Sequence, residues 1–358
     1  MVDHILIIDG ELPSGLSAVR SLAKAGLKVD VLPTRKYSFA ANSKYVNKKF
    51  RLINPINKKE KFKNFILKRA NKYSSIFCFT DDSLDALNEI RNRLPKRIRE
   101  SLPPKKSIEI VLDKLKTYQI CKKFNIPSPR IYQDVKKINK FPVVVKSRSY
   151  KNKIKTCFIK SQKELHKFKD LLDKNLIFQE YINGREYGAF FLANRGKILI
   201  SFAHLRDLSF ESFGGASVVR HTIKMPNIMY KYSKKIISYL KWNGVIMIEY
   251  KKSFKNFKLL EINGRYWGSL PLIISSGINL PYLHYLMNIK MRIKKIKSYK
   301  KTIQKNIIGM IECFHKHFLK KSFFKYIFYL FLPIKDDVIE FDDLKPFVER
   351  IKFHLRRA

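Results

Sequence analysis

Leu259-Leu260-Glu261-Ile262-Asn263-Gly264-Arg265 alternates apolar and polar side chains as a half-buried strand does. Leu260 and Ile262 are expected on one face, Glu261, Asn263 and Arg265 on the other. Three polar groups on one strand face are costly to bury unless they serve something charged. A carboxylate and an amide oxygen two residues apart are hard ligands, suited to Mg²⁺ or Mn²⁺. The arginine beside them suits a phosphate or carboxylate oxygen. Upstream, Val245 to Tyr250 is a second strand-like run carrying Glu249, and the polar, basic segment Lys251 to Lys258 reads as the turn. Antiparallel pairing then sets Glu249 beside Glu261 and Asn263. An ordinary hairpin with a solvated polar face explains any one such pair equally well, so the rest of the chain has to arbitrate.

The 358 residues allow two or three compact units, and an apolar share of 45% is globular. Cys78, Cys121, Cys157 and Cys313 show neither zinc nor disulfide spacing and read as buried thiols of a reduced, cytoplasmic protein. The start shows no leader pattern. Phe323 to Ile334 is apolar but contains Lys325 and is too short to span a bilayer, so no transmembrane helix is expected. Lys and Arg outnumber Asp and Glu by 74 to 29, a net charge of +45. Such a surface attracts nucleic acid or anionic lipid non-specifically. The lysines are spread along the chain without a nucleic-acid-binding module, so no sequence-specific nucleic acid is expected. The abundance of Lys, Ile and Asn fits an AT-rich genome.

Glu249 followed by Glu261-x-Asn263-x-Arg265 resembles the metal-binding hairpin of the ATP-grasp superfamily, which includes D-alanine ligase, biotin carboxylase and the large subunit of carbamoyl-phosphate synthase. The family usually has Pro after the Asn; here it is Gly264. The resemblance implies ATP and two Mg²⁺ (or Mn²⁺) ions held by Glu249, Glu261 and Asn263. Asp113-Lys114, a helix through Phe124, and Ile126-Pro127-Ser128-Pro129 resemble the opening of the ATP-grasp domain, which implies that Lys114 reaches a phosphate. Lys146, ending the strand Phe141 to Val145, is placed for the α and β phosphates. The following loop, Ser147 to Lys153, has no glycine where most members are Gly-rich, so Arg148, Lys151 or Lys153 is expected to supply charge instead. In Ile177 to Tyr187, the resemblance assigns Glu180 and the main chain of Tyr181 and Ile182 to adenine, and Glu186 to ribose. Read without the family, this is an edge strand and turn with exposed acids.

His4 to Gly10, a helix from Leu16 to Ala25 closed by Gly26, and the strand Lys28 to Leu32 form a βαβ unit without the G-x-G-x-x-G of nicotinamide enzymes. The strand Ser75 to Thr80 ends in Asp81 and Asp82, read as helix caps. Leu94 to Lys106, with three prolines, reads as the passage between domains. Arg206 to Ser217 reads as a polar loop over the second substrate, with Arg206 and Arg220 as partners of a substrate carboxylate and Gly214-Gly215 approaching an anion; a flexible surface loop is the competing reading. Met229 to Lys241 is an amphipathic helix. Tyr266 to Leu270 resembles uncharacterised carbamoyl-phosphate-synthase-like ATP-grasp proteins. Phe323 to Phe331 suits a core helix, a partner surface or a membrane-interface helix, with core packing as the default. His315 and His317 are two apart and do not share a helix face.

The expected fold class is α/β, with α+β ATP-grasp lobes. An open parallel pre-ATP-grasp domain spans 1–108, and the ATP-grasp domain spans 109–290 (small nucleotide lobe 109–182, large metal and substrate lobe 183–290). A basic, aromatic C-terminal extension covers 291–358. The implied activity is ATP-dependent joining of a small-molecule carboxylate to an amine, or a thiol, through an acylphosphate. Lys146, with Lys114, would hold the phosphates, and Arg265 the transferred group or the acylphosphate. Carbamate or small-molecule phosphorylation, and nucleotide binding without turnover, are the alternatives. A homodimer and weak association of the basic C-terminal region with an anionic membrane surface, at its inner face, complete the expectations.

Overall fold

The computed structural model describes residues 3–151, 156–166, 175–211, 214–254, 256–296, 298–318 and 323–355. Its first sheet holds β1 (His4–Ile8), β2 (Lys28–Leu32), β3 (Lys48–Lys49) and β4 (Ser75–Cys78), all parallel, in the order β3-β2-β1-β4. The continuous apolar run Ile5 to Ile8 is buried on both faces, as a covered parallel strand requires. The helix after β1 runs Pro13–Lys24, with Pro at its first position and Gly26 at φ +87° just past its end, where glycine avoids the left-handed penalty.

The helix after β4 spans Asp81–Glu89, and its cap differs from expectation. Thr80 is the N-cap: its hydroxyl accepts from Ser83 N at 3.3 Å. Asp81 and Asp82 sit in the first turn, where they complement the helix dipole. The proline-rich passage folds into two short helices, Lys96–Ser101 and Lys105–Val111, each opened by a proline. Ile98 and Ile108 are buried in a cluster that joins Leu6 and Leu87 to Ile246 and Ile248.

A small antiparallel sheet follows, made of β5 (Ile131–Tyr132), β6 (Val143–Ser147), β7 (Cys157–Ile159) and β8 (Leu176–Glu180) in the order β5-β8-β6-β7. The large sheet contains β9 (Arg185–Asn194), β10 (Lys197–Glu211), β11 (Gly214–Ile223), β12 (Gly244–Ser253), β13 (Asn256–Asn263), β14 (Ile303–Lys305) and β15 (Lys335–Asp336). Their order is β13-β12-β9-β10-β11-β14-β15, antiparallel except for β14 with β15.

Two expectations change here. Residues 206–217 are mainly strand, because β10 and β11 continue as one long hairpin. Leu208 is buried and Phe210 packs beside it, while register shifts between Arg206 and Glu211 absorb the irregular polar pattern. Ser212 and Phe213 lie outside the described residues. The C-terminal segment joins the same sheet through β14 and β15 and ties it to the first domain. Arg20, buried on the first helix, donates to the Val338 carbonyl at 2.8 Å and to Asp343 Oδ2 at 2.9 Å. Cys78, Cys121 and Cys313 are buried, as expected of thiols in a core, but Cys157 is only half-buried. Among the described residues, no helix is long and apolar enough to cross a membrane.

Candidate active site

The β12–β13 hairpin places Glu249 directly opposite Glu261, and Asn263 Nδ2 donates to Glu249 Oε1 at 3.3 Å. Tyr250 pairs with Leu259, so Leu260 is the extra residue of a β-bulge. The bulge breaks the expected alternation. Leu259 joins Ile262 in the core, while Leu260 turns to line the cleft beside Glu261. It also frees the Leu260 carbonyl, which accepts from Lys146 Nζ at 3.4 Å and lies 2.8 Å from the Tyr118 hydroxyl.

Gly264 has a tertiary reason. A Cβ added there would lie 2.6 Å from the indole of Trp242. Trp242 is fully buried and donates from Nε1 to the Val245 carbonyl at 3.0 Å. The space a proline ring would need is filled.

The cations converge from other elements. Lys114, first residue of a helix (Lys114–Lys123) capped by Asp113, reaches Glu261 Oε1 at 3.3 Å. Lys146, buried on β6, donates to the Tyr118 hydroxyl at 3.0 Å. Burial lowers its pKa, opposed by the charges of Glu261 and Glu249. Arg265 donates to Asn263 Oδ1 at 3.1 Å, and its Nε lies 3.3 Å from Asp81 Oδ1, linking the hairpin to the first domain. Burial raises the pKa of Glu249, with Arg206 opposing and Glu261 and Glu186 adding to the rise. For Glu261 burial pushes the same way, but Lys114, Lys146 and Arg265 outweigh it and the pKa falls. Two facing carboxylates thus differ in proton affinity because the cations cluster around one of them.

Several expected residues sit elsewhere than the sequence reading placed them. Arg206 points at the acids: Nη1 meets Glu186 Oε2 at 3.0 Å and Nη2 meets Glu249 Oε2 at 2.8 Å. Lys251 stands 3.5 Å from Glu186 Oε1. Arg220 is buried and paired with Asp337 of the C-terminal segment. Gly214 and Gly215 open β11 as strand residues. Glu180 pairs with Lys258, and the side chain lining the cleft beside Tyr181 and Ile182 is Gln179. Arg148 forms a two-pronged pair with Asp113, Lys151 pairs with Asp85, and Lys153 lies outside the described residues.

Two cleft residues escaped the sequence reading, His204 and Asp337. His204 is buried beneath Gly188 with neither ring nitrogen hydrogen-bonded, and its pKa is driven well below the usual histidine value by burial, then by Arg206 and Arg220. A histidine on an apolar strand carries no local signal, and Asp337 arrives from over a hundred residues away. The Trp267 Nε1, also buried and without a partner, lines the same cleft.

This cleft has a volume of about 520 Å³ and runs from Phe158, Tyr181 and Ile182 past the acids to Arg220 and Asp337. A second cavity, about 540 Å³, opens toward Asp81 and Arg35 at the strand ends of the first domain. Lys146, Glu261 and Arg265 line both. A small antiparallel sheet and a large one face each other across a nucleotide-sized cleft, with lysines on one side and a carboxylate hairpin on the other. Residues 173–308 match the family described as ATP-grasp in the biosynthetic pathway with Ter operon.

The chain has the ATP-grasp fold, and its residues 173–308 carry the family match.

Solved ATP-grasp structures share its fold at low identity. Biotin carboxylase from Campylobacter jejuni superposes with a TM-score of 0.66 at 14% identity, covering 85% of this chain and 75% of that one. L-amino acid ligase from Bacillus licheniformis gives 0.63 at 17% identity, covering 80% and 74%. N5-carboxyaminoimidazole ribonucleotide synthetase from Thermus thermophilus gives 0.64 at 16% identity, covering 84% and 82%. No curated protein sequence matches the chain.

Proposed function

We propose that this ATP-grasp protein is an ADP-forming ligase that joins a small carboxylate to an amine. The observation that carries the reading is the meeting of Lys114, Lys146 and Arg265 with Glu249, Glu261 and Asn263 where two cavities join. One cavity suits a nucleotide between the sheets; the other suits a second substrate at the strand ends of the first domain, where open α/β sheets bind ligands.

The donor set fits a hard divalent cation. Two facing carboxylates and an amide converge, and side-chain cations already lie against both acids. Glu249, Glu261 and Asn263 would hold Mg²⁺, whose chemistry there is to neutralise phosphate charge. Lys114 and Lys146 hold the phosphates, and Glu186, released from Arg206, is placed for the ribose. A substrate carboxylate oxygen attacks the γ-phosphorus, its bond to the β,γ-bridging oxygen breaks, and ADP leaves. Arg265 steadies the acylphosphate. The amine then attacks the acyl carbon, loses a proton to water and expels phosphate. No side-chain nucleophile is required.

The first test is thermal shift with ATP and Mg²⁺ on the parent, Glu261→Ala and Lys146→Ala. A magnesium-dependent rise in the parent alone supports the site; no rise in the parent at millimolar ATP rejects it. Pairs of carboxylates and amines are then screened for ADP and phosphate release with a new amide. ADP with a stable phosphorylated product instead would identify a small-molecule kinase.

A further inference from the structure

Away from the cleft, the helices Ile307–His317 and Phe323–Phe331 pack against the outer part of β10 through Met310, Cys313 and Tyr326. Among the described residues, nothing covers their other face, which is apolar. Phe324, Phe328 and Phe331 are 84%, 59% and 79% exposed, and their i, i+4, i+7 spacing puts them on one stripe. Ring contacts carry the patch across the helix pair: Phe314 to Phe318 at 5.8 Å, Phe318 to Phe323 at 5.5 Å, and Phe323 to Phe324 at 6.1 Å. The default reading of this helix as core therefore holds for only one of its faces. Aromatic surface on this scale marks an interaction site.

Charge selects the occupant. From Cys313 to Lys335 the sequence has five lysines and no acid, and from Lys290 to Lys301 it has seven basic residues and no acid. Bulky aromatics on a helix face within a lysine-rich, acid-free stretch of sequence suit a headgroup boundary, where rings enter the acyl edge and lysines meet phosphate. A second copy of a chain with net charge +45 would be repelled. We infer that this helix pair docks the enzyme on an anionic lipid surface. The docking face lies close to the cleft. Lys325 Nζ donates to the Asp207 carbonyl at 3.2 Å and His317 Nε2 to the Ser209 carbonyl at 3.0 Å, and both acceptors neighbour Arg206 on β10.

The experiment is sedimentation of the full chain with vesicles of phosphatidylcholine alone, or mixed with phosphatidylglycerol. Its comparison is the variant Phe324→Ser/Phe328→Ser/Phe331→Ser, checked by circular dichroism and thermal midpoint. The parent binds the mixed vesicles, and the triple variant binds them about tenfold more weakly or less. Phe324→Ser alone, at the most exposed of the three positions, gives a smaller loss of the same sign. Equal binding of parent and triple variant would reduce the effect to charge alone and overturn the inference. So would absence of parent binding, or a parent dimer that the triple variant converts to monomer. Loss of vesicle binding leaves the magnesium-dependent ATP shift in place, so failure here is distinct from failure of the ligase reading.

Discussion

Arg206 Nη2 lies 2.8 Å from Glu249 Oε2, while Nη1 of the same guanidinium lies 3.0 Å from Glu186 Oε2. One half-buried arginine therefore spans an acid of the carboxylate hairpin and Glu186, the acid proposed above for the ribose. It holds two acids that would otherwise repel inside the cleft, and it stands where a divalent cation and a nucleoside would compete for them.

Replacing Arg206 by Gln removes that cation from between the half-buried Glu186 and Glu249, leaving Lys251 3.5 Å from Glu186 as its remaining ion-pair partner. Breaking a buried pair in this way costs on the order of 3 kcal/mol. The urea midpoint should fall with little change in slope. Mg²⁺ without nucleotide should then stabilise Arg206→Gln more than the parent, because Glu249 has lost its ion-pair partner. Equal magnesium responses would show that Arg206 does not compete for that acid.

Gly264→Ala forces a Cβ to within 2.6 Å of the Trp242 ring. Overpacking of this kind costs about 1–3 kcal/mol. A Trp242→Phe exchange in the same chain opens the space and should return part of the loss, measured as a coupling energy in a double-mutant cycle. Strict additivity of the two changes would place the strain elsewhere.

Glu11 gives the first domain a pH dependence. Burial, then the charge of Asp9, raises its pKa to about 7 against the backbone donors of Thr34 and Arg35. Its Oε2 is buried without a hydrogen-bond partner. Between the ordinary value of 4.5 and about 7 the folded chain keeps a proton that the unfolded chain has lost. Stability contributed by this group therefore declines as pH rises through that window. Glu11→Gln should gain on the parent between pH 5 and pH 8 in chemical denaturation; parallel curves would refute the assignment.

Arg220 and Asp337 form a buried pair between β11 and the C-terminal segment. Arg220→Met leaves Asp337 without its counter-ion and should cost about 3–5 kcal/mol. Combining it with Asp337→Leu removes both charges and should recover most of that. The same measurement reports how firmly residues 303–343 are fastened to the large sheet.

The strand Val245 to Tyr250, its partner and the facing of Glu249 and Glu261 were legible in the sequence, because alternation sets which residues face each other across a hairpin. The segment read as the turn, Lys251 to Lys258, is nevertheless mostly strand that prolongs β12 and β13. The βαβ opening was equally local, whereas Lys114 stood out only through the resemblance of Asp113-Lys114 and its helix to the ATP-grasp opening. The bulge at Leu260 was not. The carbonyl it frees accepts from Tyr118 and Lys146, and both come from the small lobe. Nor did residues 206–211 reveal that they continue a strand, since their burial is supplied by the helix Ile307–His317, about a hundred residues downstream.

The sequence by itself determined the order of the elements and the acids of the hairpin, since these rest on contacts between near neighbours along the chain, while the opposing lysines were legible only through the family resemblance of their segments. Only the tertiary structure decided that Arg206 turns to Glu186 and Glu249, that Arg265 reaches Asp81, and that Asp337 closes the cleft behind Arg220. Buried charges take the partners that compensate their desolvation, and those partners come from whichever strands and helices the whole fold brings alongside.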